Sequence, residues 1–141
     1  MKAAVAREIK GNPKIADLNK EIQIQKGKQV FLQTCFVCHQ PTGQGVPDQI
    51  PPLAGSDFLK NQANRERIIR GVLVGQSDEM IVSGKTYKNA MIPLNYLTDD
   101  QVANVLTYVR NSWGNSGEAV SVEEVGKVRK EAGTPSANPY E

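Results

Sequence analysis

The chain contains two cysteines and one histidine, and all three fall within five consecutive positions, Cys35-Phe36-Val37-Cys38-His39. Apart from three methionines, no other soft metal ligand occurs in the 141 residues. Aromatic residues make up only 6% and hydrophobic residues 39%, so the core the polypeptide can build alone is modest. The length suits one domain with tails rather than two.

Four chemistries can begin with such a cluster. A structural zinc site wants four ligands; three adjacent ones and no second Cys-x-x-Cys fall short of that. A disulfide across two intervening residues closes a small loop and constrains little of the unfolded chain. A redox dithiol needs a thiol whose pKa is lowered at a helix N-terminus, whereas these cysteines are expected to end a helix. No alternation of strands and helices surrounds them. The fourth chemistry is covalent haem attachment. Two thiols three positions apart on a helical turn can each add to a porphyrin vinyl group, and the next residue presents an imidazole to the iron.

With His39 on one axial face, a second protein ligand cannot be histidine. Met91 lies in "KNAMIPLNYL", a proline-containing loop just before a long helix, and is the preferred thioether. Met80, in a hairpin-like run, is read as packing. A bound haem would also fill the sparse core, and a group bound only by the folded state stabilises it.

The rest of the chain reads as helices joined by long loops. Residues 1–23 are polar and lysine-rich, with Gly11, Asn12 and Pro13 as breakers, and are expected to form a linker or N-terminal arm. The start lacks an apolar secretory core, which suggests a chain cut from a longer one. A helix is predicted through "IQKGKQVFLQTC", then a proline- and glycine-rich loop, then a second helix capped by Ser56. A small hairpin is predicted about Ser83-Gly84. Thr98 and Gln101 form a capping box. Val102, Val105, Leu106, Val109 and Trp113 follow as one apolar stripe, stopped by Gly114. Ser121 and Glu124 repeat the capping signal. With 17 Lys and Arg against 15 Asp and Glu, net +2, the chain lacks the basic surface a nucleic-acid binder needs. No apolar run reaches membrane-spanning length.

From about Gln25 to Trp113 the order of helix, CxxCH, proline loop, middle helix, methionine loop and final helix resembles the class I c-type cytochromes. The resemblance implies an all-α fold of three to five helices around one covalent haem c. It divides the chain into residues 1–23 as linker or arm, 24–116 as the cytochrome domain, and 117–141 as a short helix with a flexible tail. Cys35 and Cys38 would carry the thioethers, with His39 and Met91 as axial ligands. Gly27 and Phe31 would meet Val105 and Tyr108 where the first and last helices cross at right angles. A carbonyl of Pro51 or Pro52 would accept from the histidine ring. Tyr87 would either hydrogen-bond a propionate or pack in its loop. Trp113 would either belong to the core or reach a propionate. Gln44, Gly45, Val46, Pro93 and Leu94 would rim an exposed haem edge.

The implied function is one-electron transfer without substrate chemistry, in the periplasm, to a redox partner protein. "PPLAGSDFL", "SGKTYKNAMIPLNYLTDDQVANVLTYVRNSWGNSG" and "AVSVEEVGKVR" are similar to the cytochrome domain fused to some copper nitrite reductases of denitrification. Similar segments occur in cytochrome domains serving quinoprotein dehydrogenases. A five-coordinate haem enzyme or ligand sensor is the alternative of another class, and follows if Met91 is not a ligand.

Overall fold

A computed structural model describes residues 13–133. Its first helix, α1 (Pro13–Val30), begins well before the expected start near Ile24. Proline is tolerated in a helix's first turn because its missing N–H has no intrahelical partner there. The stretch from Pro13 read as arm is therefore helical, and long-range contacts hold it: the Gln23 amide donates to the Val120 carbonyl at 2.9 Å. Residues 1–12 and 134–141, which include most of the expected arm and tail, lie outside the described residues.

After Val30 the helix widens into a π-helical turn, Phe31–Cys35, and tightens again as α2 (Phe36–His39). Such turns shift the phase of whatever follows and recur at functional sites. Here the turn leads straight into the cysteine cluster.

The second helix is not continuous. Ser56 caps α3 (Asp57–Lys60), its hydroxyl accepting from the Leu59 N–H at 3.3 Å. The chain then extends at Asn61 (ψ 116°), whose side chain accepts from the Ala63 N–H at 3.0 Å. A 3-10 turn, Gln62–Asn64, leads into α4 (Arg65–Val74). Asparagine offers the backbone a local alternative to the helical ladder, which explains the break.

The predicted hairpin forms, with β1 (Met80–Val82) antiparallel to β2 (Lys85–Tyr87). Ser83 and Gly84 both take positive φ, 52° and 79°, as a two-residue turn of the primed type requires. Met80 faces Tyr87, and the same register continues to an isolated bridge between Gln76 and Met91. That bridge is made at 3.0 and 2.8 Å, so it closes the base of the whole 76–91 segment.

Both predicted capping boxes are present, Thr98/Gln101 on α5 (Asp99–Val109) and Ser121/Glu124 on α6 (Val122–Glu131). However, α5 ends at Val109 rather than running on to Trp113. Side chains just beyond it take the last carbonyls. Asn111 donates to Thr107, Ser112 to Tyr108 and Asn115 to Val109, at 2.9, 2.6 and 2.9 Å. Trp113 itself adopts a positive φ of 52°.

The core lies where α1 crosses α5. A Cβ on Gly27 would come within 1.9 Å of the Asn104 carbonyl oxygen and 2.8 Å of the Tyr108 Cβ, so only glycine allows this approach. Phe31, Tyr108 and Trp113 stack beside it with centroids 5.2–5.6 Å apart. The Gly27/Phe31 meeting with Tyr108 is thus present, with Asn104 as its further partner. On the opposite flank Arg129 of α6 is buried against Asp99 at 2.7 Å and donates to the Leu97 and Asn95 carbonyls. The architecture is all-α apart from the hairpin. Among the described residues no helix is long and apolar enough to cross a membrane.

Candidate haem site

On the other side of the α1–α5 crossing is a cavity of about 270 Å³. One wall is the end of the first helical run, presenting Cys35, Cys38 and His39. The loop after it adds Pro51 and Pro52, α4 adds Ile68 and Val72, and the 76–91 segment adds a further wall. Strand alternation explains that last wall. Met80 and Val82 line the cavity while Ile81 between them is 66% exposed. Tyr87, opposite Met80, lines it too, as does Met91 across from Gln76.

Burial raises the Cys35 thiol to about 11, with the neighbouring Cys38 adding to the effect. That is opposite to the activation a dithiol oxidoreductase requires. The two thiols are not joined to each other. Among the described residues no group of three or more His, Cys, Asp and Glu side chains could hold a metal ion, so the zinc reading finds no fourth ligand.

Burial lowers the pKa of His39, and the Pro51 carbonyl partly opposes this. The imidazole is therefore neutral at pH 7, the form that ligates metals. The contact with Pro51 stops short of full hydrogen-bond geometry, leaving Nδ1 buried without a partner. Of the two expected acceptors, Pro51 faces the ring; Pro52 lines the cavity beside it.

These features fit a haem. The cavity is apolar, and Cys35, Cys38, His39, Met80 and Met91 all line it. Tyr87 lines it and is buried. Trp113 is not among the lining residues. Its indole N–H donates to the Pro41 carbonyl at 3.2 Å and its ring packs on Phe31 and Tyr108. Met80 lines the cavity as well as Met91, so the two methionines differ by position along the ladder rather than by access. The lining also includes Arg67, Phe58, Gln76 and Asn89. Arg67 is one of three arginines in the "NRERIIR" run, most often a solvated face, any one of which could meet a propionate; the sequence does not say which.

The expected rim needs correction at two positions. Leu94 is buried, only 5% exposed, because its N–H bonds to the Val72 carbonyl at 2.8 Å and turns the side chain inward. Gly45 is buried as well. Val37 and Ile92, each 70% exposed, are the apolar side chains flanking Cys38 and Met91 in sequence.

The cytochrome c family model matches residues 24–113, and the chain belongs to the cytochrome c family. It is 34% identical over 116 residues to cytochrome c-552 of Thermus thermophilus, covering 77% of this chain and 88% of that protein. It is 30% identical over 118 residues to the cytochrome c subunit of the quinone alcohol dehydrogenase of Gluconobacter oxydans, covering 79% of this chain and 23% of that subunit. The gluconate 2-dehydrogenase cytochrome c subunit of Pantoea cypripedii is 28% identical over 108 residues, 76% of this chain and 24% of its own length. The chain is accordingly a class I cytochrome c fold with a covalent haem c, and an electron carrier rather than an enzyme.

Proposed function

We propose that Cys35 and Cys38 tether the haem, that His39 and Met91 ligate its iron, and that the protein carries one electron at a time in the periplasm. The observation that carries this reading is that all four side chains line one apolar cavity. When bound, the group supplies Fe(III)/Fe(II) exchange. The chain's own residues do the rest. The neutral His39 is held on the rigid end of a helix. The Gln76–Met91 bridge fixes the backbone from which the thioether projects. The apolar walls exclude water, so little has to rearrange when the charge changes. Ligation by His39 and the Met91 thioether would raise the potential and would leave the iron no position for an added ligand.

The test is spectroscopic. In the oxidised protein, Met91→Ala should abolish the sulfur-to-iron band and allow carbon monoxide to bind the reduced form. Met80→Ala should leave both unchanged. A band that survives Met91→Ala would sink the assignment of the upper ligand.

For the partner, we propose delivery of electrons to the copper centre of a nitrite reductase, supported by the likeness of the three segments quoted above. The second reading, a carrier or domain serving a quinoprotein dehydrogenase, is favoured by relatives named as dehydrogenase cytochrome subunits. Mixing reduced protein with a copper nitrite reductase, and oxidised protein with a reduced quinoprotein dehydrogenase, separates the two by which reaction is fast.

A further inference from the structure

The family model's match ends at Trp113, yet α6, which lies beyond it, reaches back to the loop that carries Met91. That loop runs from the Gln76–Met91 bridge to the Thr98 cap of α5. The Leu94 N–H ties its middle to the Val72 carbonyl at 2.8 Å, and Leu97 turns back to Leu94 at 3.1 Å. Much of it faces outward, with Ile92 and Tyr96 exposed.

A side chain of α6 supplies a further hold. Arg129, only 3% exposed, donates through Nη1 to the Asn95 carbonyl at 3.0 Å and through Nη2 to the Leu97 carbonyl at 2.6 Å. Its Nε pairs with Asp99 at 2.7 Å. Asp99 balances the charge that burial would otherwise penalise, and the planar fork gives its other two nitrogens to the loop. Gly126 lets α6 come against that carboxylate, because a Cβ there would lie 3.3 Å from Asp99 Oδ2. No residue of α6 lines the cavity.

We propose that Arg129 is a positioning residue that clamps the Met91 loop from outside the haem cavity, and so sets how readily an added ligand displaces Met91 from the iron. This rests on the haem reading of the cavity and on Met91 as ligand. A thioether leaves the iron only when its loop moves away, a local opening that leaves the α1–α5 crossing folded. The clamp is made in the closed loop and lost in the open one. It therefore lowers the open population by the differential worth of its hydrogen bonds. Bonds from a charged donor are the stronger kind.

The test is displacement of Met91 by imidazole in the oxidised, haem-loaded protein, followed as loss of the sulfur-to-iron band. It compares the parent with Arg129→Gln, Arg129→Lys and Val120→Ala. The imidazole concentration that removes half of the band should fall about tenfold or more in Arg129→Gln, the equivalent of one hydrogen bond from a charged group. Arg129→Lys, which keeps a cation beside Asp99 but not the fork, should fall between that variant and the parent, and serves alone should Arg129→Gln not retain haem. Val120→Ala truncates a buried side chain next to Thr107, about two turns of α5 from Asp99. It loosens the domain away from the loop, and its half-point should match the parent's. Half-points at the parent's value in both Arg129 variants, or a fall in Val120→Ala as large as in Arg129→Lys, overturn the clamp. A parent protein without a haem spectrum would instead defeat the reading of the cavity, and one with haem but no band would defeat Met91 as ligand, so the failures are distinct.

Discussion

The two sides of the α1–α5 crossing are built differently. At the crossing itself protein packs on protein. Gly27 lets α1 against α5, Phe31, Tyr108 and Trp113 pack on one another, and on the opposite flank Arg129 of α6 meets Asp99 in the interior. On the cavity side, Met80, Val82, Tyr87 and Met91 line one apolar space. Close packing is the rule inside proteins, and a haem bound there would supply the dispersion contacts of those walls. One side is stabilised by the polypeptide alone; the other would be completed by the cofactor. Electron transfer profits from that division, since the first side holds the helices still while the second encloses the redox group.

The sharpest way to break this comparison is Gly27→Ala. A Cβ 1.9 Å from the Asn104 carbonyl oxygen forces α1 and α5 apart, and the loss should exceed about 4 kcal/mol, at the rare end for single substitutions. Gln25→Ala, on the exposed face of α1, should change stability by no more than about 0.5 kcal/mol. Thermal melts of the two haem-loaded variants give the contrast directly. Next in size is Arg129→Gln. It leaves Asp99, only 7% exposed, as an uncompensated charge, at a cost of about 3–5 kcal/mol, read from the denaturant midpoint.

How much of this division was legible in the sequence depends on the range of the forces involved. Both capping boxes, the Ser56 cap and the Ser83-Gly84 turn are local devices, and the residues that make them announce them. The start of α1 at Pro13 is not local, because Gln23 reaches Val120, almost a hundred positions away. The early end of α5 likewise depends on Asn115, which folds back to Val109 while also gripping the Leu53 carbonyl and the Gly55 N–H. The site divides the same way. CxxCH is a covalent motif and can be read directly, whereas Arg67 was hidden in a charged run whose three arginines turn to three different surroundings.

A pair of equal truncations sharpens the comparison further. Val102 on α5 and Val82 on β1 are both buried, 0% and 2% exposed, and each should lose about 1–2 kcal/mol of packing on replacement by alanine. The consequences should differ in extent. Val102→Ala should lower the melting temperature of the whole domain. Val82→Ala should chiefly speed hydrogen exchange in the hairpin, which opens locally without unfolding the crossing. Equal, global effects from both would show that the two sides form one cooperative unit.

The smallest effect concerns the tie between α4 and α6. Arg65 Nη2 lies 2.8 Å from Glu124 Oε2, and the Ser121 N–H also donates to that carboxylate at 2.9 Å. The Arg65 hydrogen bond is the main cause that brings the Glu124 carboxyl down from about 4.5 to about 2, against the opposing effect of burial. A carboxyl whose pKa is lower folded than unfolded favours the folded state when ionised. Its contribution is therefore complete above about pH 4.5 and lost as the pH falls toward 2. Because the Glu124 side chain is 36% exposed, solvent screening limits the contribution to at most about 1 kcal/mol. Glu124→Gln should destabilise the protein by that amount at pH 6 and by nothing measurable near pH 2, in denaturant titrations at matched ionic strength. A gap that stays constant down to pH 2 would mean that packing of the side chain, and not its charge, joins α6 to the domain.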